Sequence, residues 1–150
     1  MRILVSSQFL PWPQDSGGSA AQFSTLKCLE SDHEFTLVCP LYSARHEDYA
    51  HELAQQLPNV KVRGVHCGGP SPGSIVSRFL LRVLGLARRK LEPPRPASQW
   101  PSYPFHPLPP PLIDVLQEEL DRGTDLFQAE FARMMPLGAW VPKEVPRVFI

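Results

Sequence analysis

Two adjacent glycines, Gly17 and Gly18, are the first residues of the chain whose position suits chemistry. They lie between an apolar run at residues 3–5 and a segment with helical spacing at residues 19–30. The first N–H groups of a helix have no partner inside it, and the helix dipole favours negative charge there. Glycine also lets the backbone come close to a ligand. The pattern predicts an anion-binding turn, with a plain strand-to-helix turn as the alternative, and Ser16 is expected to help cap the helix.

Two polar residues near the other end of the chain are further candidates. Gln128 and Glu130 lie within and just after residues 125–129, which read as a strand. Ligands of open α/β sheets bind beyond the carboxyl ends of the strands, so Glu130 is a candidate site residue. Its alternative role is a surface ion pair with Arg133 or another surface cation, which would contribute little stability.

Other kinds of site are excluded by spacing. The glycines lack the G-x-G-x-x-G pattern, and no P-loop lysine follows them, so neither a dinucleotide site nor a P-loop is expected. The three cysteines and five histidines complete no zinc spacing, so no metal and no cofactor are expected. Cys28 and Cys39 fall on apolar patterns and are expected to be buried. The formal net charge of zero gives no reason to expect nucleic acid as a partner.

The elements that must position these residues alternate between strand and helix. The sequence predicts strands at 2–6, 35–39, 60–65, 125–129 and 146–150, and helices at 19–30, 46–57, 74–90 and 112–121. This order favours a single α/β domain with a Rossmann-like, doubly wound parallel sheet and flanking helices. Pro40 is expected to end the second strand, the third strand is expected near an edge, and Gly123 is expected to end the last helix.

The middle of the chain carries two unusual segments. Residues 74–90 form an amphipathic pattern whose polar side is basic, with Arg78, Arg82, Arg88 and Arg89 on that side. One interpretation is an ordinary helix that covers the sheet. The other is a helix that lies on an anionic membrane surface. Residues 92–111 are rich in proline and are expected to form a loop, with a polyproline ligand for SH3-type modules as the alternative.

The two ends of the chain together resemble a known family. The opening segment RILVSSQFLPWPQDSGGSAAQFSTLKCLESDHEFTLVCP combines a strand, a proline-containing loop, a Gly-Gly turn, a helix and a His-Glu-hydrophobic-Thr-Leu-Val strand. The closing segment DLFQAEFARMMPLGAWVPKEVPRVFI combines an Asp-φ-φ-Gln-φ-Glu strand, a spacer and a Pro-Arg-Val strand, where φ stands for a hydrophobic residue. In this order they resemble the N-terminal domain of GT-B fold glycosyltransferases of the family 4 type, whereas residues 66–111 resemble it poorly.

The resemblance implies roles for particular residues. Gly17 and Gly18 match the turn that approaches the diphosphate of a nucleotide-sugar donor. Ser16, Gln128 and Glu130 are the implied acceptor-side candidates, and no catalytic residue is expected within the chain unless Glu130 serves as one. Many members carry an arginine early in the first helix, and this chain does not.

The implied activity is transfer of a sugar from a nucleotide-sugar to a glycan or lipid-linked acceptor, with retention of configuration. The family's catalytic histidine follows the fifth strand, so the chain is expected to be an N-terminal half that lacks the donor-binding domain and is inactive alone. The expected location is the cytoplasm, with peripheral contact at the inner face of the membrane. The alternative is a non-enzymatic Rossmann-like module that binds a membrane surface or a protein partner through residues 74–90.

Overall fold

A parallel sheet organises the chain in a computed structural model that describes residues 1–67 and 108–150. The strands are β1 (Arg2–Ser6), β2 (Glu34–Leu41), β3 (Val60–His66), β4 (Leu126–Ala129) and β5 (Arg147–Phe149). The helices are α1 (Gly17–Leu29), α2 (Ala44–Gln56) and α3 (Pro110–Asp121), with a 3₁₀ helix at Met135–Trp140. The strand order is β3-β2-β1-β4-β5, and all neighbouring pairs are parallel.

This architecture confirms the Rossmann-like α/β class that the sequence predicts, including the edge position of the third strand. The predicted basic helix at 74–90, with its four arginines, lies outside the described residues, as does most of the proline-rich segment. Within the part of the chain that the structure describes, no helix is long and apolar enough to cross a membrane.

Each face of the sheet has its own apolar core. On one face, α1 and α2 pack against the sheet, and Leu37 and Leu53 at its centre are fully buried. On the other face, α3 and the 3₁₀ helix pack around Leu116 and Phe127, which are equally buried. Because successive strand side chains point to opposite faces, a strand covered on both sides reads as a continuous apolar run. This explains the apolar run at residues 3–5 in β1.

Helix α1 begins two residues earlier than its sequence pattern predicts. Gly17 and Gly18 are its first two residues, not a turn that precedes it. The start is fixed by a reciprocal cap, in which the Ser19 N–H donates to Ser16 Oγ at 3.1 Å and the Ser16 N–H donates to Ser19 Oγ at 3.0 Å. This arrangement satisfies two backbone donors and outweighs the low helix propensity of glycine. The expected capping role of Ser16 is confirmed.

The prediction that Pro40 ends β2 is wrong, because Pro40 lies within the strand and pairs with Val65 of β3. Each residue of a parallel strand directs its N–H and C=O to one neighbour, and the side alternates along the strand. The Val38 carbonyl accepts from the Ser7 N–H on the β1 side, and the Leu41 carbonyl accepts from the Cys67 N–H on the β3 side. The nitrogen of Pro40 therefore faces the β1 side, beyond the last paired residue of β1, where no donor is needed.

Helix α3 begins and ends with residues suited to those positions. It begins at Pro110 and Pro111, two residues before the predicted start, because the first N–H groups of a helix need no partner. Its end at Asp121 agrees with the prediction, and Gly123 follows with φ of +95°. Glycine is favoured in this left-handed conformation, which terminates many helices.

The cysteines differ in burial. Cys28 is exposed on α1, so the expectation that it is buried is wrong, because it lies on the side of the helix away from the sheet. Cys39 is fully buried in β2, as expected. Burial, with a smaller contribution from the charge of Cys67, raises the pKa of Cys39 to about 12, so this thiol stays protonated at neutral pH.

Ion pairs surround the amino-terminal ends of the strands and the end of α3. Glu119 on α3 is 5% exposed and contacts Lys61 Nζ at 2.7 Å and an Arg63 nitrogen at 3.1 Å. The Arg122 guanidinium also donates to Glu119. At the start of β1, the Arg2 N–H donates to Asp125 Oδ2 at 2.7 Å, and the Arg2 guanidinium contacts Asp125 Oδ1 at 3.2 Å.

Candidate functional site

The strand order changes direction between β1 and β4, and this point defines the candidate site. From β1 the chain runs outward to β2 and β3, then returns to β4 on the other side of β1. The carboxyl ends of β1 and β4 are held together, since the Glu130 N–H donates to the Ser6 carbonyl at 2.8 Å. Ligands of open α/β sheets bind in the crevice at such a switch point.

The first turn of α1 lies at this edge and leaves two backbone donors free. Neither the N–H of Gly17 nor that of Gly18 donates to a residue within 1–67 or 108–150, whereas the N–H of Ser19 is used by the cap. A Cβ placed on Gly17 would meet no described atom within 4 Å, so the space beside this residue is open. Two unpaired N–H groups at the positive end of a 13-residue helix favour a negatively charged ligand.

Two phenylalanines cover the other glycine. A Cβ on Gly18 would lie 3.3 Å from the ring of Phe131 and 3.4 Å from the ring of Phe9. The two rings pack with centroids 4.7 Å apart. Phe131 directly follows Glu130 and has φ of +68°, an uncommon conformation for a residue with a side chain. The Phe9–Phe131 pair therefore connects the start of α1 to the end of β4. Residues with side chains held in the left-handed conformation, as Phe131 is, cluster at functional sites.

The candidate acceptor-side residues share the α1 face of the sheet. Leu126 packs into the core on that face, and the alternation of strand side chains places Gln128 and Glu130 on the same face. Gln128 Nε2 donates to the Glu130 carboxylate, which is 8% exposed. No ion pair joins Glu130 to Arg133 within the described residues, so that form of the alternative role is not observed.

A buried polar pair below the loop after β1 was not expected from the sequence. Ser7 is fully buried, and its Oγ lies 2.8 Å from the Phe9 carbonyl oxygen and 3.1 Å from Gln22 Oε1. Gln22 Nε2 is buried and has no hydrogen-bond partner in the described part of the chain. The signal was present in α1, where Ser19, Gln22 and Leu26 share the buried side. A glutamine on the buried side of α1 indicates that polar groups lie beneath the loop after β1.

The loop after β1 and the start of α2 also line an open aromatic pocket of about 300 Å³. The sequence reasoning missed it, because its lining comes from two connections that are about thirty residues apart in the chain. The described residues that line it are Gln8, Phe9, Leu10, Trp12, Pro13, Asp15, Ser16, Pro40, Tyr42, His46 and Tyr49. Since Asp15 and Ser16 directly precede Gly17, the pocket borders the free N–H groups of the helix start.

The structure thus brings Ser16, Gly17, Gly18 and Glu130 to one edge of the sheet, with Gln128 in β4 two residues before Glu130. Among the described residues, no group of three or more His, Cys, Asp or Glu side chains could hold a metal ion. No family model, curated protein or solved structure matches the chain. The function is therefore inferred from the geometry of this edge and from the sequence.

Proposed function

We propose that the chain is the acceptor-side, N-terminal domain of a glycosyltransferase that moves a sugar from a nucleotide-sugar to a glycan or lipid-linked acceptor. In this proposal the donor is held mainly by a second α/β domain, as the resemblance to GT-B enzymes implies. The first turn of α1 contributes backbone N–H groups that face the diphosphate of the nucleotide-sugar.

The pair of free N–H groups at Gly17 and Gly18 is the observation that carries this proposal. These groups lie at the switch point of a Rossmann-like sheet, where phosphate groups of nucleotides bind in many α/β proteins. Open space beside Gly17 lets an anion approach the backbone. Ser16 and Ser19 satisfy each other, so they hold the helix start in place without occupying its two free donors.

The proposed chemistry uses these donors on the leaving group. When the bond between the anomeric carbon and the phosphate oxygen breaks, the electron pair and the negative charge pass to the nucleoside diphosphate. Backbone N–H groups that are already oriented stabilise this charge without reorganisation. On the acceptor side, the Glu130 carboxylate is held by Gln128 and can accept a hydrogen bond from an acceptor hydroxyl.

A matched pair of variants at Gly17 tests the role of the helix start. Gly17→Pro removes one N–H, and proline is favoured at the first position of a helix. Ser16 has φ of −139° and ψ of 159°, which suits a residue before proline. Gly17→Ala keeps the N–H and places its Cβ in open space. The two variants therefore differ mainly in one hydrogen-bond donor.

Titration of the chain with inorganic pyrophosphate and with UDP, followed by ¹H–¹⁵N NMR, provides the measurement. We expect the amide signals of Gly17 and Gly18 to shift, and we expect Gly17→Pro to weaken binding about tenfold, since a hydrogen bond to a charged group is lost. Gly17→Ala should bind like the parent chain. Equal binding by both variants, or no shift at these amides, would contradict the proposal.

The coding sequence beyond codon 150 provides a second test. We expect an open reading frame that encodes a further α/β domain with a histidine soon after Ile150. A chain extended by that domain should transfer labelled sugar from one of a panel of UDP- and GDP-sugars. A stop codon at this point would contradict the two-domain proposal.

A further inference from the structure

The aromatic pocket beside the helix start has rigid ring surfaces. Trp12 is fixed by its ring contact with Phe23, with centroids 5.6 Å apart, and by a hydrogen bond from its Nε1 to Glu52 Oε2 at 2.8 Å. On α2, the Arg45 guanidinium carbon lies 5.2 Å from the centroid of the Tyr49 ring. Aromatic rings held in this way present flat apolar surfaces at low entropic cost.

The polar groups of the pocket include both donors and acceptors. The Tyr42 N–H donates to His46 Nδ1 at 3.2 Å, which assigns the hydrogen of the neutral imidazole to Nε2, and Nε2 has no partner among the described residues. Asp15 supplies a carboxylate acceptor, and the Gln8 amide can donate and accept. This mixture suits a ligand whose own groups donate and accept, as hydroxyl groups do.

Hydrogen-bonding groups distinguish this pocket from the helix start. No lysine or arginine is among its described lining residues, and the Asp15 carboxylate, whose Oδ1 lies 3.5 Å from Ser19 Oγ, borders both places. A phosphate finds unpaired backbone donors at Gly17 and Gly18, whereas the pocket offers side-chain donors and acceptors that suit a neutral ligand. The volume of about 300 Å³ lies at the small end of ligand pockets, which fits a single ring with its substituents.

We propose that this pocket binds a neutral pyranose ring, with its C–H face against the aromatic side chains and its hydroxyl groups on His46 and Asp15. Its use as the acceptor subsite rests on the proposed glycosyltransferase function, whereas the binding of a pyranose does not. The pocket borders Ser16, so a bound ring would lie next to the helix start where the diphosphate is proposed to bind.

Saturation-transfer difference NMR on the whole chain tests this proposal with methyl glycosides of glucose, mannose and galactose at millimolar concentration. Adenosine and uridine serve as uncharged competitors, because a nucleobase would also stack on aromatic rings. We expect at least one glycoside to receive saturation most strongly at its ring C–H protons. Addition of either nucleoside should not reduce this signal.

Two histidines on α2 provide a matched pair of variants. His46→Ala removes a pocket donor, whereas His51→Ala changes an exposed histidine on the same helix that does not line the pocket. We expect His46→Ala to weaken glycoside binding about fivefold and His51→Ala to leave it unchanged. Tyr49→Leu keeps an apolar side chain but removes the ring, and we expect a similar weakening.

The outcomes separate this proposal from the proposed function. Glycoside binding that is sensitive to His46 and Tyr49 supports the pocket even if pyrophosphate does not bind at Gly17. Binding of nucleosides in place of glycosides would overturn the sugar assignment. Binding of neither class, or equal binding by the His46→Ala and His51→Ala variants, would overturn the pocket itself.

Discussion

At the amino-terminal edge of the sheet Glu119 and Asp125 are paired with cationic side chains, whereas at the carboxyl-terminal edge two backbone N–H groups have no partner among the described residues. Glu119 contacts three cationic side chains, and Asp125 contacts both the backbone and the side chain of Arg2. At the opposite edge, Gly17 and Gly18 leave their N–H groups without a partner in the described residues. The first arrangement contributes to stability, and the second leaves hydrogen-bonding capacity for a ligand.

This contrast leads to different expectations for substitutions at the two edges. Changes at the amino-terminal edge should lower the free energy of unfolding and leave ligand binding intact. Loss of a backbone N–H in the first turn of α1, as in Gly17→Pro, should weaken ligand binding and leave the free energy of unfolding nearly constant.

Glu119→Gln should have the largest effect of the stability predictions. The carboxylate is 5% exposed and accepts contacts from Lys61, Arg63 and Arg122, so its removal weakens several charge-assisted hydrogen bonds at once. We expect the free energy of unfolding to fall by about 2 kcal/mol, measured by urea denaturation. Glu118→Gln is the matched control, because Glu118 is exposed and forms a surface ion pair with Arg63. An equal fall in the free energy of unfolding for Glu119→Gln and Glu118→Gln would contradict the expectation that the buried carboxylate contributes more than the surface one.

Glycine-to-alanine substitutions compare the two edges directly and should have smaller, opposite effects. Gly123→Ala places a Cβ against the Arg2 guanidinium at a residue with φ of +95°, and we expect the free energy of unfolding to fall by about 1–2 kcal/mol. Gly17→Ala adds a Cβ in open space within a helix, and we expect a gain of about 0.5 kcal/mol. Thermal and urea denaturation of both variants provide the comparison. A substantial loss for Gly17→Ala would show that the helix start is strained.

Asp125→Asn should have the smallest effect of these substitutions, on the acid side of the pH–stability profile. Hydrogen bonds from the backbone and side chain of Arg2 lower the pKa of Asp125 below its usual value of 3.8. A lowered pKa in the folded state stabilises the fold above the unfolded pKa, and this contribution is lost as the pH falls through the folded pKa. Asp125→Asn should therefore make the profile flatter below about pH 4. An unchanged acid slope would indicate that this surface pair contributes nothing.

Sequence reasoning predicts most of this fold because its signals are local. The apolar runs of β1, β2 and β4, the helical spacing of α2 and the left-handed position at Gly123 all reflect neighbouring residues. The errors have two causes, strand pairing at Pro40 and local capping at Gly17. Pro40 reads as a strand terminator, but its missing N–H lies beyond the end of β1. Gly17 reads as part of a turn, but the Ser16–Ser19 cap extends the helix to include it.

The candidate site was predicted less completely than the fold. Gly17, Gly18 and Glu130 could be selected because parallel strands end at the same edge, and the structure places them there. The aromatic pocket could not, since Trp12 and Tyr49 become neighbours only when β1 and β2 pair and α2 packs beside them. Periodicity within one element carries no information about such a pairing.

Pro40 has a consequence for how the pocket stays accessible. It lines the pocket and leaves β2 without a donor on the side of β1. A longer β1 could therefore not form an uninterrupted hydrogen-bond ladder with β2 past this residue and fill the pocket. Replacing Pro40 with a residue that has an N–H would restore a backbone donor on the β1 side of β2.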